Sequence, residues 1–131
     1  MKKKICIVMS TYNNDITNEL YHSAKIVLKK LNHDLVKVPG AFEIPVTISR
    51  LAKKYDGFIA IGCIIKGETA NFDLISKSIT NGIMFISIQE KKPIGNAVLT
   101  CFNKKQALAR LDKGKEAANA VISVLKNVSN N

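Results

Sequence analysis

Short, uniformly apolar segments alternate along the chain with longer segments whose apolar residues recur every three or four positions. The first kind is typical of strands buried on both faces, and the second of amphipathic helices, such as the one carrying Ile16, Leu20 and Ala24. The pattern predicts strands over Lys2–Met9, Leu35–Val38, Gly57–Ile65 and Asn96–Cys101, and helices over Asp15–Leu31, Glu43–Tyr55, Phe72–Glu90, Asn103–Leu111 and Gly114–Val128.

Strands and helices therefore alternate until two helices close the chain. Strands that are apolar on both faces and separated by helices favour a parallel sheet covered on both sides. We predict a three-layer α/β/α sandwich with a four-stranded parallel sheet, right-handed crossovers and flavodoxin-like topology. The 131 residues suit one domain, spanning 1–131.

Composition narrows the class of protein. The formal charge is +10, carried almost entirely by lysines, and only Arg50 and Arg110 are arginines. Such lysines form a solvated surface, or a positive field that attracts anionic ligands or nucleic acid. No DNA- or RNA-binding motif supports nucleic acid as a partner.

Targeting signals are not expected. The apolar run after the basic Met1–Lys4 start is too short for a signal peptide, and the longest apolar run, Phe58–Ile65, falls well short of a bilayer span. The three cysteines fit buried, reduced thiols, and the chain has no C-x-x-C pair. We expect a cytoplasmic protein without a membrane partner, a zinc site or another metal site.

Candidate chemistry collects after the predicted strands. In open parallel sheets ligands bind outside the carboxyl ends of the strands. Aromatic rings, carboxylates, amides and a Gly-Glu-Thr turn occur there, in the segments Ser10–Asn14, Pro39–Glu43, Lys66–Asn71 and Thr100–Asn103.

Each of these residues has a structural and a functional interpretation. Tyr12 caps the core or offers a ring face to a planar ligand. Glycines such as Gly67 serve tight turns, and Glu43 and Glu68 favour helix N-termini. Alternatively, Gly67, Glu68 and Thr69 bring backbone N–H groups and a hydroxyl to a phosphate at a helix start. Neither glycine-rich nucleotide-binding motif is present, so nucleotide binding is not supported.

Arg110 does not fit its own subunit's strand edge. It lies near the far end of the helix predicted after the fourth strand, roughly 13 Å from that edge at about 1.5 Å per residue. It is a solvated residue, an ion-pair partner, or a contribution to a neighbour's site. Lys113 follows shortly after it, and an oligomer with interfacial sites accounts for such a pair.

Together these segments resemble the lumazine synthase family, in the family's order and over essentially the whole chain. The pieces that carry the resemblance are YNNDIT (12–17), VPGAFEIP (38–45), GCIIKGET (62–69), FD (72–73), PIGNAVLT (93–100), QALAR (106–110) and KGKEAA (113–118).

The resemblance implies an enzyme of riboflavin biosynthesis without cofactor or metal. It would condense 5-amino-6-(D-ribitylamino)uracil with 3,4-dihydroxy-2-butanone 4-phosphate to give 6,7-dimethyl-8-ribityllumazine and phosphate. The family's sites lie between subunits of a homopentamer, sometimes built into a sixty-subunit shell. Functional coupling to riboflavin synthase is also implied.

Family roles transfer to particular residues of this chain. Tyr12 would stack on the pyrimidine, and Ala41, Phe42 and Glu43 would hold its edge and the ribityl hydroxyls. Main-chain groups of Cys63, Ile64 and Ile65 would face the pyrimidine. Glu68 and Thr69 would bind the phosphate substrate, Asn96 would line the pocket, and Arg110 with Lys113 would come from the adjacent subunit.

The chain departs from the family at three places. Asn71 stands where the family usually has His, Asn96 where it often has Phe, and the Arg110–Lys113 segment is about five residues shorter than is common. Asparagine cannot exchange protons as histidine does. We therefore predict that Asn71 orients the substrate carbonyl or the departing phosphate.

Three alternative functions remain at this point. An archaeal-type riboflavin synthase shares the Gly-Glu-Thr turn and would form riboflavin. A non-catalytic paralogue would bind ribityl-lumazine or flavin without releasing phosphate. A nucleic-acid binder would show steeply salt-dependent retention on DNA.

Overall fold

The structure, a computed structural model, describes residues 3–129. Two of the helical segments are short, the 3₁₀ turn Ala41–Glu43 and a five-residue helix, Lys104–Leu108. In chain order the elements are β1 Lys4–Ser10, α1 Asn14–Val27, β2 Asn32–Val38, the 3₁₀ turn, α2 Ile44–Leu51, β3 Gly57–Ile65, α3 Asn71–Glu90, β4 Ile94–Cys101, α4 Lys104–Leu108 and α5 Lys113–Ser129.

All strand pairs are parallel, and the four strands lie in the order β2-β1-β3-β4. The predicted α/β/α sandwich with flavodoxin-like strand order is thus confirmed. From β1 the chain moves outward to β2 and then crosses to β3 on the other side of β1. The boundary between β1 and β3 is therefore the topological switch point, where such sheets bind ligands.

Each face of the sheet has its own core. Alternating residues of β1 divide between them, since Ile7 packs under α1 and α5 while Val8 packs under α2 and α3. Gly114 allows α5 to lie against α1, because a Cβ built there would stand 2.0 Å from the Leu20 carbonyl oxygen. The central strands are buried on both faces, as their apolar runs predicted.

Several element ends differ from the sequence-based prediction. The second helix ends at Leu51 instead of Tyr55, because the amides of Ala52 and Lys54 make turn bonds to residues three positions back. The Tyr55 hydroxyl donates to the Asp34 carboxylate at 2.7 Å. β2 begins at Asn32, three residues earlier than predicted, since polar residues of this edge strand pair with β1. Lys2, predicted to start the first strand, lies outside the described residues.

Cys6, Cys63 and Cys101 are buried free thiols, which confirms their predicted state. Within residues 3–129 no helix has both the length and the apolar character needed to cross a bilayer.

Candidate functional site

A cavity of about 480 Å³ opens at the switch point, outside the carboxyl ends of the strands. Its wall is formed by Tyr12 and Asn13 after β1, by Gly40–Phe42 after β2, and by Cys63–Ile65 at the end of β3. Six predicted site residues thus meet in one place: Tyr12, Ala41, Phe42, Cys63, Ile64 and Ile65.

The two aromatic side chains at the cavity are largely exposed, Tyr12 to 72% and Phe42 to 63%. Tyr12 therefore does not cap the core, and its ring is available to a planar ligand. Its position is fixed by the backbone, since the Tyr12 amide donates to the Pro39 carbonyl at 3.0 Å and the Thr11 amide to Val38 at 2.8 Å. These bonds hold the loops after β1 and β2 together.

Glu43 folds its carboxylate back onto the loop that carries the cavity wall. Its Oε1 accepts a hydrogen bond from the Gly40 amide at 2.9 Å. Gly40 has a negative φ, so a left-handed turn is not why glycine stands there. A Cβ on Gly40 would lie 3.2 Å from Glu43 Oε1, closer than most such contacts allow. The glycine and the carboxylate therefore form one local unit.

Cys63 contributes its main-chain groups to the cavity, and its thiol takes no part in the chemistry. Burial, with smaller effects from Cys101 and Asp15, raises the pKa of the Cys63 thiol to about 11. The side chain packs in the core beneath α1 and α5. A thiol protonated at neutral pH and packed away from the cavity is neither a nucleophile nor a base.

Asn13 is a cavity residue that the sequence analysis did not single out. Its side-chain Nδ2 donates to the Cys63 carbonyl oxygen at 2.9 Å. It adopts a left-handed backbone conformation, φ 58° and ψ 45°, which asparagine tolerates better than most residues. The sequence signal that could have identified Asn13 was an asparagine shortly before a predicted helix.

The Lys66–Asn71 turn leads from β3 to α3 on the same side of the sheet. Glu68 and Thr69 are exposed there, and Thr69 Oγ1 accepts a long hydrogen bond, 3.4 Å, from the Asn71 amide. No heavy atom lies within 4 Å of a Cβ built on Gly67, and its φ is not positive. Glycine thus leaves open space beside this turn, and ligand approach does not meet a side chain there.

Asn71 is the first residue of α3, and Ile75, one turn later, lines the cavity. Residues four apart lie on the same helix face, about 6 Å apart along the axis. Asn71 therefore stands above the cavity wall. Close by, the Lys66 ammonium lies 5.3 Å from the centroid of the Phe102 ring, a contact that leaves its N–H donors available.

Asn96, Arg110 and Lys113 are not brought to this cavity within one subunit. Asn96 lies mid-strand on β4, and its Oδ1 accepts from the Val98 amide at 3.0 Å. Arg110 and Lys113 line a separate depression of about 480 Å³ beside Thr100. The helix predicted to carry Arg110 ends at Leu108, so Arg110 lies in the α4–α5 turn, with Nη1 2.9 Å from the Gln106 carbonyl oxygen.

No three His, Cys, Asp or Glu side chains within residues 3–129 are grouped so as to share a metal ion.

Comparison with known proteins gives a consistent result. The family model described as 6,7-dimethyl-8-ribityllumazine synthase matches residues 2–129. A protein of that name from Albidiferax ferrireducens is 40% identical, over 94% of this chain and 83% of its own length. One from Limosilactobacillus reuteri is also 40% identical, over 98% of this chain and 89% of its own. A third, from Bartonella bacilliformis, is 36% identical over 97% of this chain and 93% of its own length.

Proposed function

The chain belongs to the 6,7-dimethyl-8-ribityllumazine synthase family, and from that premise we propose how its cavity performs the family's reaction. It is a transferase of riboflavin biosynthesis. It condenses 5-amino-6-(D-ribitylamino)uracil with 3,4-dihydroxy-2-butanone 4-phosphate and yields the lumazine and inorganic phosphate. The observation that carries the assignment to this cavity is that the exposed Tyr12 side chain and the end of β3 line the same cavity at the switch point.

The pyrimidine occupies the cavity between Tyr12 and the end of β3. The Tyr12 ring supplies a stacking surface for a planar heterocycle, and main-chain groups of Cys63–Ile65 face its edge. Glu43 holds ribityl hydroxyls through the carboxylate oxygen that does not bind Gly40. The main chain of Ala41 and Phe42 completes this half of the site.

The phosphate of the second substrate binds at the Gly67–Thr69 turn. Ala70, which precedes α3, offers no side-chain oxygen, and the Asn71 amide makes only a long bond of 3.4 Å to Thr69 Oγ1. The N–H groups at a helix start favour anions. The Lys66 ammonium lies beside this turn, and none of the ion pairs formed by the described residues involves it. Arg110 and Lys113 of a neighbouring subunit add further positive charge, with Asn96 lining the pocket.

A homopentamer, alone or within a sixty-subunit shell, brings those residues to the cavity. Support comes from α3, where Leu74 and Phe85, three turns apart on one face, are exposed to 64% each. Met84 and Ile88 extend this apolar surface, which marks a protein contact more often than a solvated face. A light-scattering mass five or sixty times the 14.4 kDa of one chain tests the assembly.

Protons move in this enzyme without a dedicated histidine. The amine of one substrate attacks the ketone of the other, and a first water leaves to form an imine. Phosphate is then eliminated, and the ribityl-bearing amine attacks the carbonyl that results, so that a second water leaves as the ring closes. Holding the amine and ketone together contributes at best about 7–11 kcal/mol, and a positioned acid or base typically adds ~10²–10⁴-fold. We assign Asn71 to orientation of the carbonyl or the departing phosphate. Substrate phosphate, water or Lys66 carries the protons.

Phosphate release in the presence of both substrates tests the reaction, and lumazine fluorescence identifies the product. Binding without phosphate release indicates a non-catalytic protein.

The role of Asn71 is tested by Asn71→His. If orientation dominates, kcat stays within about threefold of wild type. A larger rise means that proton transfer was limiting, which contradicts our assignment. Asn119→His, at an exposed position of α5 on the opposite face of the sheet, is the matched control.

We place the enzyme in the cytoplasm, since its three thiols are free and buried. Its lumazine product is the substrate of riboflavin synthase, with which we propose functional coupling.

A further inference from the structure

The backbone ladder between β1 and β3 stops before the end of β3. The last β1–β3 pair joins Met9 to Ile61, whereas β3 continues through Ile65 and remains paired with β4 up to Ile65 and Cys101. The final residues of β3 are thus supported by a strand on the β4 side alone. The other side faces the cavity.

Asn13 supports the cavity side in place of a strand. Its Nδ2 donates to the Cys63 carbonyl oxygen at 2.9 Å, two residues past the last β1–β3 pair. Meanwhile its own carbonyl oxygen accepts from the amides of Ile16 and Thr17, at 3.0 and 3.1 Å, in the first turn of α1. The left-handed conformation lets one residue begin α1 and also turn its side chain back to β3.

We propose that Asn13 is a positioning residue for the pyrimidine substrate, acting through the main chain of β3. Backbone polar groups of successive strand residues point to opposite neighbours. The Lys66 amide binds Cys101 on the β4 side, so the N–H and C=O of Ile65 point, like those of Cys63, to the cavity side. The bond to Asn13 fixes the direction of this donor–acceptor pair, which is complementary to the N–H and C=O of a uracil ring edge.

This inference rests on the proposed placement of the pyrimidine, and two variants test it. Asn13→Asp keeps the shape of the side chain and replaces the donor by an oxygen. Asn13→Gly keeps the left-handed backbone and removes the side chain. In both variants we expect KM for ribitylaminouracil, and the dissociation constant of the lumazine product measured by fluorescence, to rise roughly tenfold. KM for dihydroxybutanone phosphate should change less than twofold.

Lys91→Gly is the matched control. Lys91 is the other left-handed non-glycine residue of the described chain, with φ 57°, and it lies at the C-terminus of α3, away from the cavity. It should leave both KM values unchanged. Equal increases in the two KM values for the Asn13 variants, or no increase in either, would overturn the proposal. If wild-type protein binds the lumazine without forming it, the reaction is refuted, and the product's dissociation constants still decide the role of Asn13.

Discussion

Tyr12→Ala and Arg110→Ala should each impair activity, and oligomers that contain both kinds of subunit should recover part of it by complementation. Tyr12 lines the cavity at the switch point, whereas Arg110 lines the depression beside Thr100, and the two linings share no residue. If each site takes Tyr12 from one subunit and Arg110 from its neighbour, some sites of a mixed oligomer contain neither substitution.

The size of the recovery follows from the energies of the two contacts and from the random arrangement of the two variants in a closed ring of subunits. Loss of stacking on Tyr12 costs about 1–3 kcal/mol, or roughly 5–150-fold in substrate affinity. Loss of a charge-assisted contact from Arg110 to phosphate costs about 1.5–3 kcal/mol, a similar factor. In an equal, random mixture each interface pairs an intact Tyr12 with an intact Arg110 in about one case in four. The mixture should therefore reach roughly a quarter of wild-type activity.

The assay uses the two variants with different affinity tags, co-expressed and purified over both tags in succession. Lumazine formation is measured at substrate concentrations below both wild-type KM values. The control is a mixture of separately assembled variants, which should show only the mean of the two single activities. Doubly tagged oligomers that show no more than this mean would refute the interfacial assignment of Arg110.

Two further predictions concern stability and ionisation. Gly114→Ala forces a Cβ against the Leu20 carbonyl oxygen and should lower the free energy of unfolding by about 2 kcal/mol in urea denaturation at fixed protein concentration. Gly67→Ala, where the Cβ meets no neighbour, should change it by less than about 0.5 kcal/mol. Tyr55→Phe should raise the pKa of Asp34 in an NMR titration, because the Tyr55 hydrogen bond is the main cause of its lowered value. In wild type, the stabilisation from the ionised Asp34 carboxylate is present above the pKa that Asp34 has in the unfolded chain, and it is lost as pH falls through the folded pKa. An unchanged Asp34 titration in the variant would contradict the role given to Tyr55.

The fold was predictable because its central strands carry a strong signal. Gly57–Ile65 is apolar throughout, and its predicted bounds are those of β3. The edge strand β2 was predicted too short, since Asn32, His33 and Asp34 are polar and pair with β1 through their backbone. Hydrophobicity cannot report such pairing. The second helix was predicted too long because the chain passes into turns after Leu51, with the Ala52 and Lys54 amides bonded three positions back, and apolar periodicity does not report such turns.

The candidate site was predictable in part for a related reason. Position after a strand was enough to gather Tyr12 and Phe42 at one edge of the sheet, whereas the site role of Cys63, which lies within β3, came from the resemblance to the family. The contribution of Asn13 depends on where β1 ends relative to β3 and on a left-handed backbone. Both are properties of the assembled sheet, so the sequence pattern alone does not specify them.

The position of α5 also determines when the protein can finish folding during synthesis. This helix, Lys113–Ser129, covers the core face that contains Ile7 and packs along α1. All four strands and α1 precede α5 in the chain, so they are synthesised before it. Until α5 packs, the part of this face that α1 does not cover stays exposed, and exposed apolar surface at that stage favours aggregation. The core on this face is therefore completed only after α5 has been synthesised.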